Sequence, residues 1–189
     1  MWPVALLVML PLMVLSCAGP YAASKRDIFE GKQLLAVGEY AGAQQEFVRA
    51  IEAQKSAWAY ALAATASYKL NDLPDAQYYI DEALKMDGRS NAYLRILAYR
   101  ALILLTEGRE QEGIEALRQY LDTYRNYYPI PHRREIERMV NSGVVDLARL
   151  EVLLDDGISR YESDVDQWVG TGTGYLAERY GPPTVLGVP

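Results

Sequence analysis

Residues 31–50 read GKQLLAVGEYAGAQQEFVRA, and the order of small and large side chains in that stretch decides the fold. Gly31, Gly38, Ala43, Phe47 and Ala50 mark five positions. The same spacing returns 33 residues later as Ala64, Asn71, Ala76, Ile80 and Ala83, and 37 residues after that as Ala101, Gly108, Gly113, Leu117 and Tyr120. Self-similarity at such a period is the mark of a stacked repeat. Between repeats the chain is rich in Ala, Leu, Glu, Gln and Arg, and Pro74 is the one proline from 21 to 128, so each unit is helical. Gly31, Ala64 and Ala101 sit in a first helix, and Ala43, Ala76 and Gly113 in a second. Small side chains there let two antiparallel helices approach closely. Gly38, Asn71 and Gly108 punctuate the pair, because Gly and Asn accept the left-handed backbone that ends a helix. Pro74 suits the first turn of the helix that follows. Phe47, Ile80 and Leu117 are plugs, and Ala50 and Ala83 leave room for the next hairpin.

This arrangement resembles the tetratricopeptide repeat over residues 24–129, with the first repeat the closest match. The resemblance implies an all-α, right-handed superhelix of antiparallel helical hairpins with C-terminal capping helices. Two departures stand out. Lys55 and Gly88 occupy places where the family closes each repeat with proline, and Tyr120 fills a place that ordinarily takes a small residue, so the third hairpin is expected to splay or lengthen.

Upstream, residues 2–15 form an uncharged apolar run containing Pro3 and Pro11 and ending at Ser16, Cys17 and Ala18. A membrane-crossing helix needs roughly 20 apolar residues. The run is shorter and stops at small residues, which reads as an export signal over 1–16. Val14-Leu15-Ser16-Cys17 resembles the bacterial lipoprotein box. That resemblance implies lipid attachment at Cys17, a lipidated linker over 17–23, and, with Ala18 rather than an aspartate after the cysteine, an outer-membrane anchor facing the periplasm. Ordinary signal cleavage at the same small residues is the alternative.

Downstream of Ile130 the repeat gives way to apolar residues at spacings of three and four: Ile136, Met139 and Val140, then Leu150, Leu154, Ile158, Tyr161, Val165 and Trp168. These predict capping helices over 130–169. Glycines from Gly170 and the Gly181-Pro182-Pro183 step predict an extended or flexible tail over 170–189. Residues 151–189 hold seven acidic residues against Arg160 and Arg179. Asp155, Asp156, Asp164 and Asp166 are expected on a solvated helix face.

Composition limits the chemistry. The chain of 189 residues carries a net charge of −6 and no long basic run, which excludes a surface that wraps nucleic acid. One Cys and one His cannot build a Cys/His zinc site. The letters of a dinucleotide fingerprint at Gly172–Ala177 lack the strand and the following βαβ unit that give them meaning. No catalytic constellation stands out, and no cofactor or metal is expected.

What remains is surface. The inward stripes of the first helices read Lys25, Ile28, Lys32, Leu35; Trp58, Ala61, Thr65, Tyr68 with Lys69; and Arg95, Ala98, Leu102, Leu105. Lys25, Lys32, Trp58, Tyr68, Lys69 and Arg95 are the candidate partner-binding residues, suited to an apolar or partly acidic peptide. The aliphatic members read as core. The family's carboxylate clamp is not carried over, since the matching places hold Ile28, Lys32, Leu62, Arg95 and Tyr99 without an Asn. The expected function is a membrane-anchored adaptor or assembly factor in a bacterial envelope complex, with other envelope proteins or peptide segments as partners. The alternative is a structural subunit of a secretion or pilus machine without a peptide-binding groove. The charge split adds a further expectation, that the acidic 151–166 segment folds onto the basic groove and competes with partners.

The lipid-box reading is checked by metabolic labelling with palmitate in a bacterial host: the chain takes up label and Cys17→Ser does not. Unlabelled native protein contradicts it.

Overall fold

A computed structural model describes residues 19–86 and 91–183. The export segment, Cys17, Gly88 and residues 184–189 lie outside the described residues. Nine helices and no strand occur among the described residues: α1 Pro20–Ala36, α2 Tyr40–Ala53, α3 Ala57–Lys69, α4 Leu73–Met86, α5 Tyr93–Thr106, α6 Glu110–Thr123, α7 Arg133–Ser142, α8 Leu147–Thr171 and α9 Tyr175–Tyr180. The first six pack as the adjacent pairs α1–α2, α3–α4 and α5–α6.

The three turns are built alike. Gly38, Asn71 and Gly108 all have positive φ, at 82°, 59° and 76°. The next residue closes each helix with one bond, Glu39 N–H to the Leu34 carbonyl, Asp72 to Ser67 and Arg109 to Leu104, each 2.9 Å. Carbonyls that the helix end would leave bare are thereby satisfied. The chain then enters its second helix within a few residues, which sets each pair antiparallel.

Small residues stand where the helices cross. A methyl group on Gly31 would lie 2.5 Å from the Phe47 ring, and one on Gly113 would lie 2.5 Å from Leu105. Phe47, Ile80 and Leu117 are fully buried. The middle helices α3 and α5 are covered on nearly every side. Alanines at 57, 59, 61, 63, 64 and 66 keep α3 slim enough for neighbours on both flanks. A helix apolar all round belongs inside.

Several expectations need correction. α1 begins at Pro20, inside the segment expected to be a linker. Helix α8 runs to Thr171 and α9 follows at 175–180, where an extended tail was expected. Three hydrogen bonds hold that end: Trp168 Nε1 donates to the Gly181 carbonyl at 2.8 Å, the Tyr180 hydroxyl donates to the Tyr127 carbonyl at 2.8 Å, and Arg179 donates to the Asn126 carbonyl. Of the helices in the segment expected to cap the array, α7 packs against α6, while α8 lies along the first helices of the hairpins.

Tyr120 does not splay the third hairpin. Its ring is fully buried, and it reaches α8 at Gly157, where an added methyl group would sit 3.0 Å from the phenolic oxygen. At Ala50 and Ala83 the small residue is on the hairpin; at Tyr120 the large residue is on the hairpin and the small one on its neighbour. The Tyr120 hydroxyl itself is buried without a hydrogen-bond partner.

This notch predicts that Gly157→Val destabilises the fold by about 1–3 kcal/mol in urea melts. Tyr120→Leu in the same chain recovers much of the loss. Tyr120→Phe alone is neutral or stabilising by up to about 1 kcal/mol, since it removes an unpartnered buried polar group. Equal melts for Gly157→Val and the native chain contradict the packing described.

Candidate functional site

The inward face of α1, α3 and α5 forms a trough, and α8 occupies much of it. Tyr99 meets Asp155 and Arg95 meets Glu162, so α8 runs antiparallel to α5. Its apolar stripe of Leu150, Leu153, Leu154, Ile158, Tyr161, Val165 and Trp168 is buried. Its acidic residues meet the trough's cations in series. Lys69 Nζ donates to Glu151 and, at 2.6 Å, to Asp155. Arg95 donates to Glu162 at 2.8 Å through Nε and to Thr65 Oγ1 at 3.1 Å. Lys32 Nζ stands 3.5 Å from Glu162 and 4.0 Å from Asp166.

Two of these contacts lie deep. The Arg95 and Glu162 side chains are 8% and 9% exposed, which makes the pair a buried ion pair. Burial opposes the Arg95 charge, but Glu162 beside it holds the guanidinium pKa above its ordinary value. Burial likewise opposes the charge of Lys69, and its bonds to Asp155 and Glu151 outweigh it and raise the pKa. Tyr99 donates to Asp155 at 2.7 Å, and its pKa is pushed well above the ordinary phenolic value by burial first and the Asp155 charge second. Tyr68 is half-buried beside Tyr99 in an edge-on ring contact and shares a hydrogen bond with Thr106 at 3.3 Å.

The six candidate partner-binding residues therefore divide. Tyr68, Lys69 and Arg95 belong to the internal interface with α8 and are not a free surface. Lys25, Lys32 and Trp58 line an open cleft of about 670 Å³ at the other end of the trough, bounded by α1, the start of α3 and the later turns of α8. Lys32 Nζ lies 5.3 Å from the Trp58 ring centre and Lys25 Nζ 5.3 Å from that of Tyr21. Tyr21, Phe29 and Met86 also line the cleft and are exposed. Phe29 falls one place off the three-four stripe, and Tyr21, four residues before Lys25, continues the stripe but precedes residue 24, where the repeat was expected to begin, so the repeat register passes over both. A smaller cavity of about 290 Å³ lies between Tyr40, Tyr99 and the paired charges.

The aspartates expected on a solvated face are turned inward in part. Asp155 accepts from Tyr99 and Lys69, and Asp164 accepts from Tyr128 at 2.6 Å. Asp156 faces His132, 2.9 Å away. His132 has φ 58° at the start of α7 and is exposed, a surface turn residue. Leu102 and Leu105 are buried, Ile28 and Leu35 partly so, in keeping with core roles. On the opposite side of α1, Asp27, Glu30 and Glu46 bring three carboxylates together, with Arg26 3.0 Å from Asp27 and Arg49 on Glu46.

No family model matches the chain, and no curated protein matches it. Among the described residues no helix is long and apolar enough to cross a membrane.

Losing half of a buried ion pair leaves the other charge stranded, so Glu162→Gln lowers stability by about 3–5 kcal/mol, whereas Arg95→Met with Glu162→Leu costs less than either single change. Buried tyrosines add an alkaline limit. The folded-state pKa values of Tyr99, Tyr120 and Tyr124 are raised, so the native state holds those protons more tightly than the unfolded chain. Their contribution is complete below the ordinary phenolic pKa of 10.0 and is lost as pH climbs past it. Ultraviolet titration then shows the last tyrosinates, those of the buried rings, appearing only together with loss of helical circular dichroism. Ionisation of all fifteen tyrosines with the helix signal intact contradicts this.

Proposed function

We propose that the chain is a helical-repeat adaptor of the tetratricopeptide kind, tethered to a bacterial membrane through lipid on Cys17 and working in the periplasm as an assembly or interaction factor. The observation that carries the reading is the threefold recurrence of one hairpin design: a left-handed residue at the same turn position, the same closing hydrogen bond and, in the first and third hairpins, a tight crossing at Gly31 and Gly113. Stacked hairpins offer extended surfaces rather than a reaction centre. Along the middle of the trough the carboxylates, cations and phenols are spent on one another, which suits a scaffold better than acid–base catalysis. Tethering such a scaffold raises the effective concentration of whatever it holds at the membrane. The superhelical form and the outer-membrane location are part of this proposal.

A second reading has an observation of its own. Because α8 fills much of the trough, the chain also suits a purely structural subunit, built into an envelope machine through its outer face without any peptide groove. An α8 that lifts away to free the groove is not part of either reading. Its seven large buried apolar side chains are worth roughly 10–20 kcal/mol together, which rivals the whole stability of a typical domain. Deleting 151–189 is accordingly expected to unfold the array, not to raise its affinity.

In-cell photocrosslinking separates the readings. A crosslinker at a few trough-end positions captures one defined envelope protein if the chain is an adaptor. Crosslinks from outer positions such as Tyr78 and Arg118, in a complex of fixed stoichiometry, favour the structural subunit. Fractionation with the cytosol and no crosslink from either face contradicts both.

A further inference from the structure

Trough cations are matched to carboxylates one after another: Lys69 to Glu151 and Asp155, Arg95 to Glu162, Lys32 to Glu162 and Asp166. Lys25, two turns before Lys32 on the same face of α1, breaks the series. It is exposed and has no carboxylate partner among the described residues; its ammonium rests over the Tyr21 ring. α8 closes on the trough as far as Glu162, Val165 and Asp166 and leaves the cleft open beyond them. The cleft carries apolar surface, with Tyr21 and Phe29 each 62% exposed and Met86 46% exposed, interleaved with polar side chains such as Ser24, Gln54 and Asp166. Its volume of about 670 Å³ is in the range of sites that bury a ligand.

We propose that this cleft is the docking site for a partner segment in which an acidic residue stands beside an aliphatic or aromatic one, the carboxylate meeting Lys25 and the apolar side chain lying between Phe29 and Trp58. Two features commit the cleft to that occupant. Charge complementarity is the first: among the described residues Lys25 is the cation left over in a series whose other members each hold a carboxylate. Continuity is the second. The cleft prolongs the interface in which α8 already presents Glu162, Val165 and Asp166, acid and apolar side by side, to the same face of α1. The partner thus continues the chemistry of α8 and does not have to displace it. The proposal rests on the adaptor reading and names the partner class for it.

The test displays a random heptapeptide library against the immobilised full chain in detergent. Enriched peptides are expected to share an acidic residue next to an aliphatic or aromatic one. Their affinity falls at least tenfold on Lys25→Glu and on Trp58→Ala, and a peptide with Lys in place of its acid binds the Lys25→Glu chain better than the native one. Lys25 is exposed and outside any ion pair among the described residues, so Lys25→Glu should melt like the native chain; where Trp58→Ala weakens the fold, the charge exchange at Lys25 alone decides. No enrichment, a basic consensus, or equal binding to the Lys25→Glu chain overturns the proposal. A photocrosslinker in place of Phe29 separates its failure from that of the adaptor reading. Crosslinks from other trough-end positions but none from Phe29 remove the cleft and leave the adaptor, whereas none from any position removes both.

Discussion

Arg95 sits in the middle of the molecule, and a guanidinium in that place needs a carboxylate. Glu162 of α8 supplies it, and almost everything else about the molecule follows from that pairing. An unpaired buried charge costs several kcal/mol, so the array of hairpins and the long helix depend on each other. The pair sets the position of α8 along the trough, which brings Asp155 to Tyr99 and Lys69 and brings Gly157 to Tyr120. Hydrophobic burial provides most of the adhesion. The charges decide which register of the helix receives it.

The hairpins were legible in the sequence because their determinants are local. A residue that accepts positive φ must stand at the turn, and a small residue must stand where two helices touch; both recur at fixed spacing, from Gly38 to Asn71 to Gly108 and from Gly31 to Ala64 to Ala101. Tyr120 was legible only as an irregularity, because the residue that accommodates it, Gly157, is 37 positions away in the chain. The end of the molecule was misread for a related reason. Glycine and proline near 170–183 suggest an open chain when only neighbours are considered, but Trp168 and Tyr180 tie that segment down by bonds to distant or following carbonyls.

The candidate site was half legible. Reading the inward stripe picked out cations and aromatic residues correctly as members of one face, and the excess of acid after residue 151 pointed to their counterpart. Periodicity does not distinguish a helix that covers the open end of a stack from one that lies along its inner side, since both have an apolar stripe. The outcome depends on tertiary fit, and it moved Tyr68, Lys69 and Arg95 from the prospective surface to the interior. Lys25, Lys32 and Trp58 kept a solvent-facing position because α8 no longer covers the trough beyond Asp166. Among the described residues the trough is closed along its middle and open at one end.

Native-state hydrogen exchange measures the central claim, that α8 is a constituent of the core and not a removable occupant. Amides of α8 between 150 and 165 should exchange only through global unfolding, with the same free energy and the same denaturant dependence as those of α5. Exchange of α8 through a smaller opening, while α3 and α5 keep full protection, would contradict the account.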